Sequence, residues 1–124
     1  MNRRWKSFSW VQPRGGLLIA SLLPVLGSGI SIGSAAETGR FQAIVCLGCL
    51  IRGETPHFEY IASAVAHGLT AAAAATGVPM AFGVLTTNSV EEALARAGDG
   101  PSNKGWEAAA AALEMASVVA QLGP

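Results

Sequence analysis

A short loop near the middle of the chain combines residue types that suit a small anion. The unbroken apolar run Ala43–Leu47 predicts a buried parallel strand, and ligands of open α/β sheets bind beyond the carboxyl ends of such strands. Gly53 permits close backbone approach there, and Thr55 supplies a hydroxyl beside the N–H groups of the next helix. The pattern predicts a site for one phosphate, although many helix starts contain Gly and Thr without any ligand. Neither the dinucleotide nor the Walker glycine pattern is present.

Four other side chains have charges or rings that could serve such a site. His57 falls in the first helical turn, where the helix dipole favours the neutral imidazole that exchanges protons near pH 7. Arg96 and Lys104 bracket a glycine-rich loop and could hold a phosphate. Phe82, if near a strand's carboxyl end, could stack on a planar ring. The alternatives are a solvent-facing His, two solvated cations and a core Phe.

The two cysteines, Cys46 and Cys49, have the spacing of a redox or zinc motif. A structural zinc site needs four ligands, and the chain contains neither a second cysteine pair nor a suitable histidine pair. Cys46 also lies in an apolar run, where a thiol behaves as a small hydrophobe. We therefore interpret both as ordinary residues and predict no metal.

The helices and strands that must position these residues can be predicted from residues 37 to 124. Thr55-Pro56 predicts a helix start, and apolar residues at helical spacing continue to a stop at Gly77. Met80–Leu85 predicts a second buried strand, and Ser89 with Glu92 predicts a capping box that opens a helix to Ala97. A long Ala-rich helix is predicted over Lys104–Leu122. This order favours a layered α/β fold with a parallel sheet, for which Leu17–Leu23 could supply a third strand.

Residues 1–36 differ in character from residues 37–124, and we predict a boundary between them. The chain of 124 residues is 51% hydrophobic and carries no net charge, which removes any global electrostatic case for nucleic acid. A basic opening, the apolar stretch Leu17–Leu26 and the small residues up to Ala36 imitate a secretory signal, and Arg3-Arg4 hints at twin-arginine export. The apolar stretch is too short for a confident membrane span. We favour a cytoplasmic enzyme with an atypical or misread N-terminus, with export as the alternative.

From Glu37 to Leu122 the chain resembles the 6,7-dimethyl-8-ribityllumazine synthase family. Four motifs carry the resemblance in the same order and spacing as in the family: Leu47 to Phe58 (LGCLIRGETPHF), Gly77-Val78-Pro79 with Phe82 to Thr87 (FGVLTT), Ala93 to Gly98 (ALARAG) and Asn103 to Ala108 (NKGWEA). The resemblance implies a three-layer, flavodoxin-like parallel sheet, whose N-terminal strand–helix–strand part is missing or altered in this chain. It also implies a transferase of riboflavin biosynthesis, without metal or organic cofactor, that assembles as a pentamer or an icosahedral shell.

The implied reaction condenses 5-amino-6-(ribitylamino)uracil with 3,4-dihydroxy-2-butanone 4-phosphate. By position, the resemblance gives Cys49, Leu50 and Ile51 to the pyrimidine and ribityl site. It gives the phosphate to Gly53, Glu54, Thr55 and Arg96, and proton transfer to His57. Phe82 would stack on the pyrimidine from a neighbouring subunit, and Lys104 would line the same interface.

The first third of the chain departs from the family pattern. The family has an Arg-Phe-Asn motif and a Pro-Gly-x-x-Glu motif that contact substrate, and neither occurs here. Pro24 to Gly29 occupies the approximate place of the second motif without its Glu. A shifted reading frame or a wrong start codon would produce this pattern. The alternative to an active enzyme is therefore an inactive remnant that keeps only the subunit-assembly surfaces.

The resemblance and the chemistry of His57 together predict that replacing this residue slows the enzyme without abolishing its activity. Orienting two reactants supplies most of the acceleration of an imine condensation, whereas acid–base help adds about 10²–10⁴-fold. We expect His57→Ala to lower kcat by a factor within that range, as measured by steady-state formation of the lumazine. Loss of all turnover would contradict a role limited to proton transfer.

Overall fold

A four-stranded sheet forms the centre of the part of the chain that the structure describes. The computed structural model describes residues 12–14, 17–21, 28–54 and 56–123, so most of the basic opening and the Pro24–Gly27 stretch lie outside the described residues. The strands are β1 (Gln12–Arg14), β2 (Leu17–Ser21), β3 (Ala43–Ile51) and β4 (Met80–Thr87), in that spatial order. β1 pairs antiparallel with β2, and β2, β3 and β4 are mutually parallel.

Helices cover both faces of the sheet, which makes the fold a three-layer α/β arrangement as predicted. They are α1 (Ser28–Glu37), α2 (His57–Thr76), α3 (Val90–Ala97) and α4 (Lys104–Leu122). Alternate residues of β3 serve two cores: Ile44 and Cys46 pack with α1 and α2, whereas Ala43 and Val45 pack with Ala108 and Ala112 of α4. Burial of successive residues explains the unbroken apolar run, because a strand covered on both faces needs no polar side.

The predicted third strand is confirmed, and both central strands are longer than the apolar runs indicated. Leu17–Ser21 pairs with Ala43–Leu47 in parallel register. β3 continues past Gly48 to Ile51, and β4 continues past Leu85 to Thr87, because the two strands pair with each other over these extra residues. Backbone pairing carries the ladder onward where side-chain hydropathy no longer predicts it.

The long helices begin and end close to their predicted residues. α2 contains buried Ile61, Val65 and Leu69 at helical spacing, and it ends at Gly77, whose left-handed φ of 73° suits glycine. Its N-cap is Pro56, one residue later than the predicted Thr55. α3 and α4 have side-chain caps. Ser89 accepts from the Glu92 N–H as predicted, and Asn103 accepts from the Trp106 N–H.

A helix that sequence patterning did not predict precedes β3. Helix α1 spans a Gly/Ser-rich segment with weak helix propensity, but its Ile32 and Ala36 are buried against the first core. Tertiary packing therefore stabilises a helix that intrinsic helix propensity alone would not. The helix includes residues on both sides of the boundary at residue 36, and that boundary stays a prediction. Among the described helices, none has the length and hydropathy needed to cross a membrane.

Gly83 marks the closest approach between the sheet and α4. A Cβ placed there would lie 2.8 Å from Leu47 Cδ2, 3.0 Å from the Cys46 carbonyl oxygen and 3.1 Å from Ala108 Cβ. The absence of a side chain thus lets the helix pack directly on β4.

We expect Gly83→Val to lower the free energy of unfolding by about 1–3 kcal/mol, because a branched side chain would overpack this contact. Urea denaturation followed by circular dichroism would measure the change. Gly53→Ala is the matched control, since a Cβ at Gly53 would meet no atom within 4 Å. Equal effects of the two substitutions would contradict the packing explanation.

Candidate active site

The first group of candidate residues lies where β3 ends. Cys49 and Ile51 are exposed and Leu50 is half-buried against the core shared with α1 and α2. This alternation follows from the pleat of the strand, which directs neighbouring side chains to opposite faces. The end of β3 therefore presents both side chains and backbone groups to the loop that follows.

That loop is tied to the end of β4 and then enters α2. The Arg52 N–H donates to the Thr87 carbonyl at 2.8 Å, and Gly53 and Glu54 are exposed. Pro56, as N-cap, supplies no side-chain acceptor to the first turn of α2. Thr55 lies outside the described residues, and the structure describes His57 only as the first residue of α2. The N-cap side chain thus does not cap the first N–H groups of α2.

The second group lines a cavity of about 490 Å³ between β4, α3 and α4. It brings together three of the residues singled out from the sequence, namely Phe82, Arg96 and Lys104. A smaller cavity of about 170 Å³ shares the Arg96 wall and reaches Gly48 and Asn103. An exposed ring and two cations around one opening suit a planar, anionic ligand.

The two cations of this cavity are held differently. The Arg96 guanidinium donates from Nη1 to the Glu92 carbonyl at 3.2 Å, within its own helix. Lys104 Nζ lies 2.9 Å from Glu107 Oε2, and both side chains are about half exposed. Glu107 also lines the cavity, and it was not among the residues chosen from the sequence. Its spacing of three residues from Lys104 on one helix face was the available signal.

Phe82 does not lie near the carboxyl end of its strand, which corrects the expectation from the sequence. It is the third residue of β4 and pairs with Cys46, whereas the loop begins after Ile51. Five residues of strand separate the two levels, roughly 16 Å at about 3.3 Å per residue. Its side chain is 43% exposed. The loop residues are not among those that line these two cavities.

The cysteine pair has the properties expected of ordinary residues. Cys46 is fully buried and Cys49 is exposed, and both thiols are free. Burial raises the pKa of the Cys46 thiol from 9.0 to about 12, which makes it a poor nucleophile. Within the described part of the chain, no three His, Cys, Asp or Glu side chains lie together as a metal site.

Comparison with known proteins places this α/β arrangement within a class of biosynthetic enzymes. The sequence profile of the 6,7-dimethyl-8-ribityllumazine synthase family matches residues 29–120. Proteins named 6,7-dimethyl-8-ribityllumazine synthase are similar over most of the chain. That of Syntrophus aciditrophicus is 52% identical over 87 residues, which cover 70% of this chain and 56% of the relative. That of Synechococcus elongatus is 56% identical over 87 residues, covering 70% and 48%, respectively.

The chain belongs to the 6,7-dimethyl-8-ribityllumazine synthase family, a family of riboflavin biosynthesis enzymes with a flavodoxin-like fold. The relative from Microcystis aeruginosa is 54% identical over 89 residues, covering 72% of this chain and 49% of the relative. The chain thus spans about half the length of the curated relatives that it matches. The family match begins within α1, eight residues before the start of the resemblance recognised from motifs at residue 37.

The raised pKa of Cys46 predicts loss of stability in alkali. The folded thiol keeps its proton to about pH 12, so its contribution is complete below pH 9 and is lost as the pH rises toward 12. We expect the free energy of unfolding to fall by about 1.4 kcal/mol per pH unit between these values because of this group. Urea denaturation at pH 7 and pH 10 would measure the fall.

Cys46→Ala is the control for this titration and should remove that part of the slope. A slope identical in the two proteins would contradict the assignment. Iodoacetamide at pH 8 provides a second readout, because it should alkylate Cys49 and leave Cys46 unmodified in the folded protein.

Proposed function

We propose that this protein is a lumazine synthase whose active site forms between two copies of the chain. The observation that carries the proposal is the cavity beside β4, where Phe82, Arg96 and Lys104 stand together. The pyrimidine ring of 5-amino-6-(ribitylamino)uracil would stack on Phe82, and Lys104 would line the same wall. Family membership supports this ligand over other planar ring compounds.

The separation of the two residue groups supports a shared site. Phe82 pairs with Cys46, five residues of strand before the loop that follows Ile51, and in the proposed site a neighbouring copy would bring its loop to the cavity. Exposed apolar side chains continue from the cavity along α4, at Met115, Val118 and Leu122. Such a stripe is typical of a surface that another subunit covers. The proposed assembly is a homo-oligomer, either a pentamer or an icosahedral shell.

In the proposed reaction, the amine of the uracil attacks the ketone of 3,4-dihydroxy-2-butanone 4-phosphate. Loss of water gives an imine, inorganic phosphate leaves, and the ring closes with loss of a second water. Backbone groups of Cys49, Leu50 and Ile51 would orient the uracil. The phosphate would be held by the backbone N–H groups of Gly53, Glu54 and Thr55 at the entrance of α2 and by Arg96 of the neighbouring copy. His57 would transfer protons, and the enzyme would work in the cytoplasm without metal or cofactor.

A second candidate is an inactive remnant that keeps only the assembly surfaces. It is favoured by the absence of the Arg-Phe-Asn and Pro-Gly-x-x-Glu motifs, which provide part of the substrate contacts in the family. A remnant would retain the apolar stripe on α4 and form oligomers without turnover. An exported form, the alternative for residues 1–36, would be cleaved near Ala36.

One assay separates the enzyme from the remnant. The full chain is mixed with both substrates, and the fluorescence of the lumazine is followed together with release of inorganic phosphate. Product formation with stoichiometric phosphate supports the enzyme. Formation of oligomers with a rate equal to the uncatalysed background supports the remnant.

We expect Arg96→Ala to raise the KM for the butanone phosphate about 10- to 100-fold, since a hydrogen bond to a charged group contributes about 1.5–3 kcal/mol. The KM for the uracil should not change. Arg96→Lys is the matched control, which keeps the charge but loses bidentate geometry and should show a smaller effect. Unchanged steady-state constants for the phosphorylated substrate in Arg96→Ala would show the phosphate assignment to be wrong.

A further inference from the structure

Arg52 makes two contacts that span the loop between β3 and α2. Its backbone N–H donates to the Thr87 carbonyl at 2.8 Å and holds it at the end of β4. Its side chain reaches across the loop, where Nη2 lies 3.3 Å from Glu59 Oε1. The segment between Arg52 and Glu59 is the one to which the proposed function assigns the phosphate. Arg52 is thus a link between the sheet and the first turn of α2.

Glu59 needs this partner because of the residue that caps the helix. It is the third residue of α2, the position from which a carboxylate accepts the N–H of the N-cap residue in a capping box. Glu92 of α3 makes a related contact, since its Oε2 accepts the Asn88 N–H at 2.9 Å. The N-cap of α2 is Pro56, which has no N–H to donate. The carboxylate of Glu59 pairs with Arg52 instead.

The ion pair contributes little to folding. The side chains of Arg52 and Glu59 are 55% and 61% exposed, and exposed pairs stabilise proteins by only about 0–1 kcal/mol. The ion pair has a larger effect on the binding of an anion at the helix entrance. A phosphate and an unpaired carboxylate within the same turn would repel each other and compete for the positive end of one helix dipole. Neutralising Glu59 removes that competition.

We propose that Arg52 is a positioning residue of the phosphate loop, which pairs with Glu59 and thereby sets the affinity for the phosphorylated substrate. The inference rests on the proposed function, because it requires the phosphate to bind at this loop. Arg52 acts through Glu59 and makes no contact with substrate. The spacing of seven residues hid this pair in the sequence, since Arg52 precedes the helix and only the fold brings it to Glu59.

The test uses the full chain carrying Arg52→Ala, Glu59→Gln or both substitutions. We expect Arg52→Ala to raise the KM for the butanone phosphate about tenfold, equivalent to about 1.4 kcal/mol, with the KM for the uracil and the urea midpoint unchanged. The double variant should recover most of this loss, because the glutamine carries no charge to repel phosphate. Arg52→Lys, which keeps the positive charge, should resemble the unmodified chain.

Two results would overturn the inference while leaving the proposed function intact. They are an unchanged KM in Arg52→Ala and a double variant as impaired as Arg52→Ala, the second indicating direct phosphate binding by Arg52. If the unmodified chain fails to turn over the two substrates, the proposed function fails, and titration of the same proteins with inorganic phosphate by ³¹P NMR decides the inference alone. Weaker binding in Arg52→Ala that Glu59→Gln restores supports it. The absence of phosphate binding to any of them refutes it.

Discussion

The parallel ladder between β3 and β4 is the constraint on which the candidate site depends. Ile44 to Ile51 pairs in register with Met80 to Thr87, so each residue of one strand has a set level on the other. This register keeps Phe82 beside Cys46 and away from the loop after Ile51. The ladder also places Arg52 next to Thr87. The Thr87 carbonyl accepts the Arg52 N–H, which is the first N–H beyond β3. A one-residue slip would reverse the faces of β4 and remove Phe82 from the cavity.

Much of the fold could be predicted because local signals and tertiary packing agree. The buried run of β3, the helical spacing of Ile61, Val65 and Leu69, and the cap at Ser89 all match the structure. Helix α1 was missed because its Gly and Ser residues favour coil, whereas burial of Ile32 and Ala36 in the core shared with β3 and α2 stabilises it. Strand lengths were underestimated because backbone pairing, which has no side-chain signature, extends them.

The candidate site was predictable in its residue types and not in its layout. Residue chemistry and family motifs identified Phe82, Arg96 and Lys104, which the fold brings to one cavity. Their distance from the loop after β3 depends on strand register, which cannot be read from a single sequence. Arg52 and Glu107 were missed because each of them acts through the residue with which it forms an ion pair. An ion pair at an exposed surface contributes little to stability, and the hydrophobic pattern of the sequence does not reveal it.

The position of β4 at the end of the sheet has a consequence for handling the protein. Among the described strands, β4 and β1 are the two outer ones, so one row of the peptide groups of β4 faces away from β3. An outer strand of this kind, beside exposed apolar groups on α4, is a template on which other chains can add in extended form. The proposed association with neighbouring copies would therefore compete with disordered association through the same surfaces. Expression level and refolding concentration would decide between particles of defined size and precipitate.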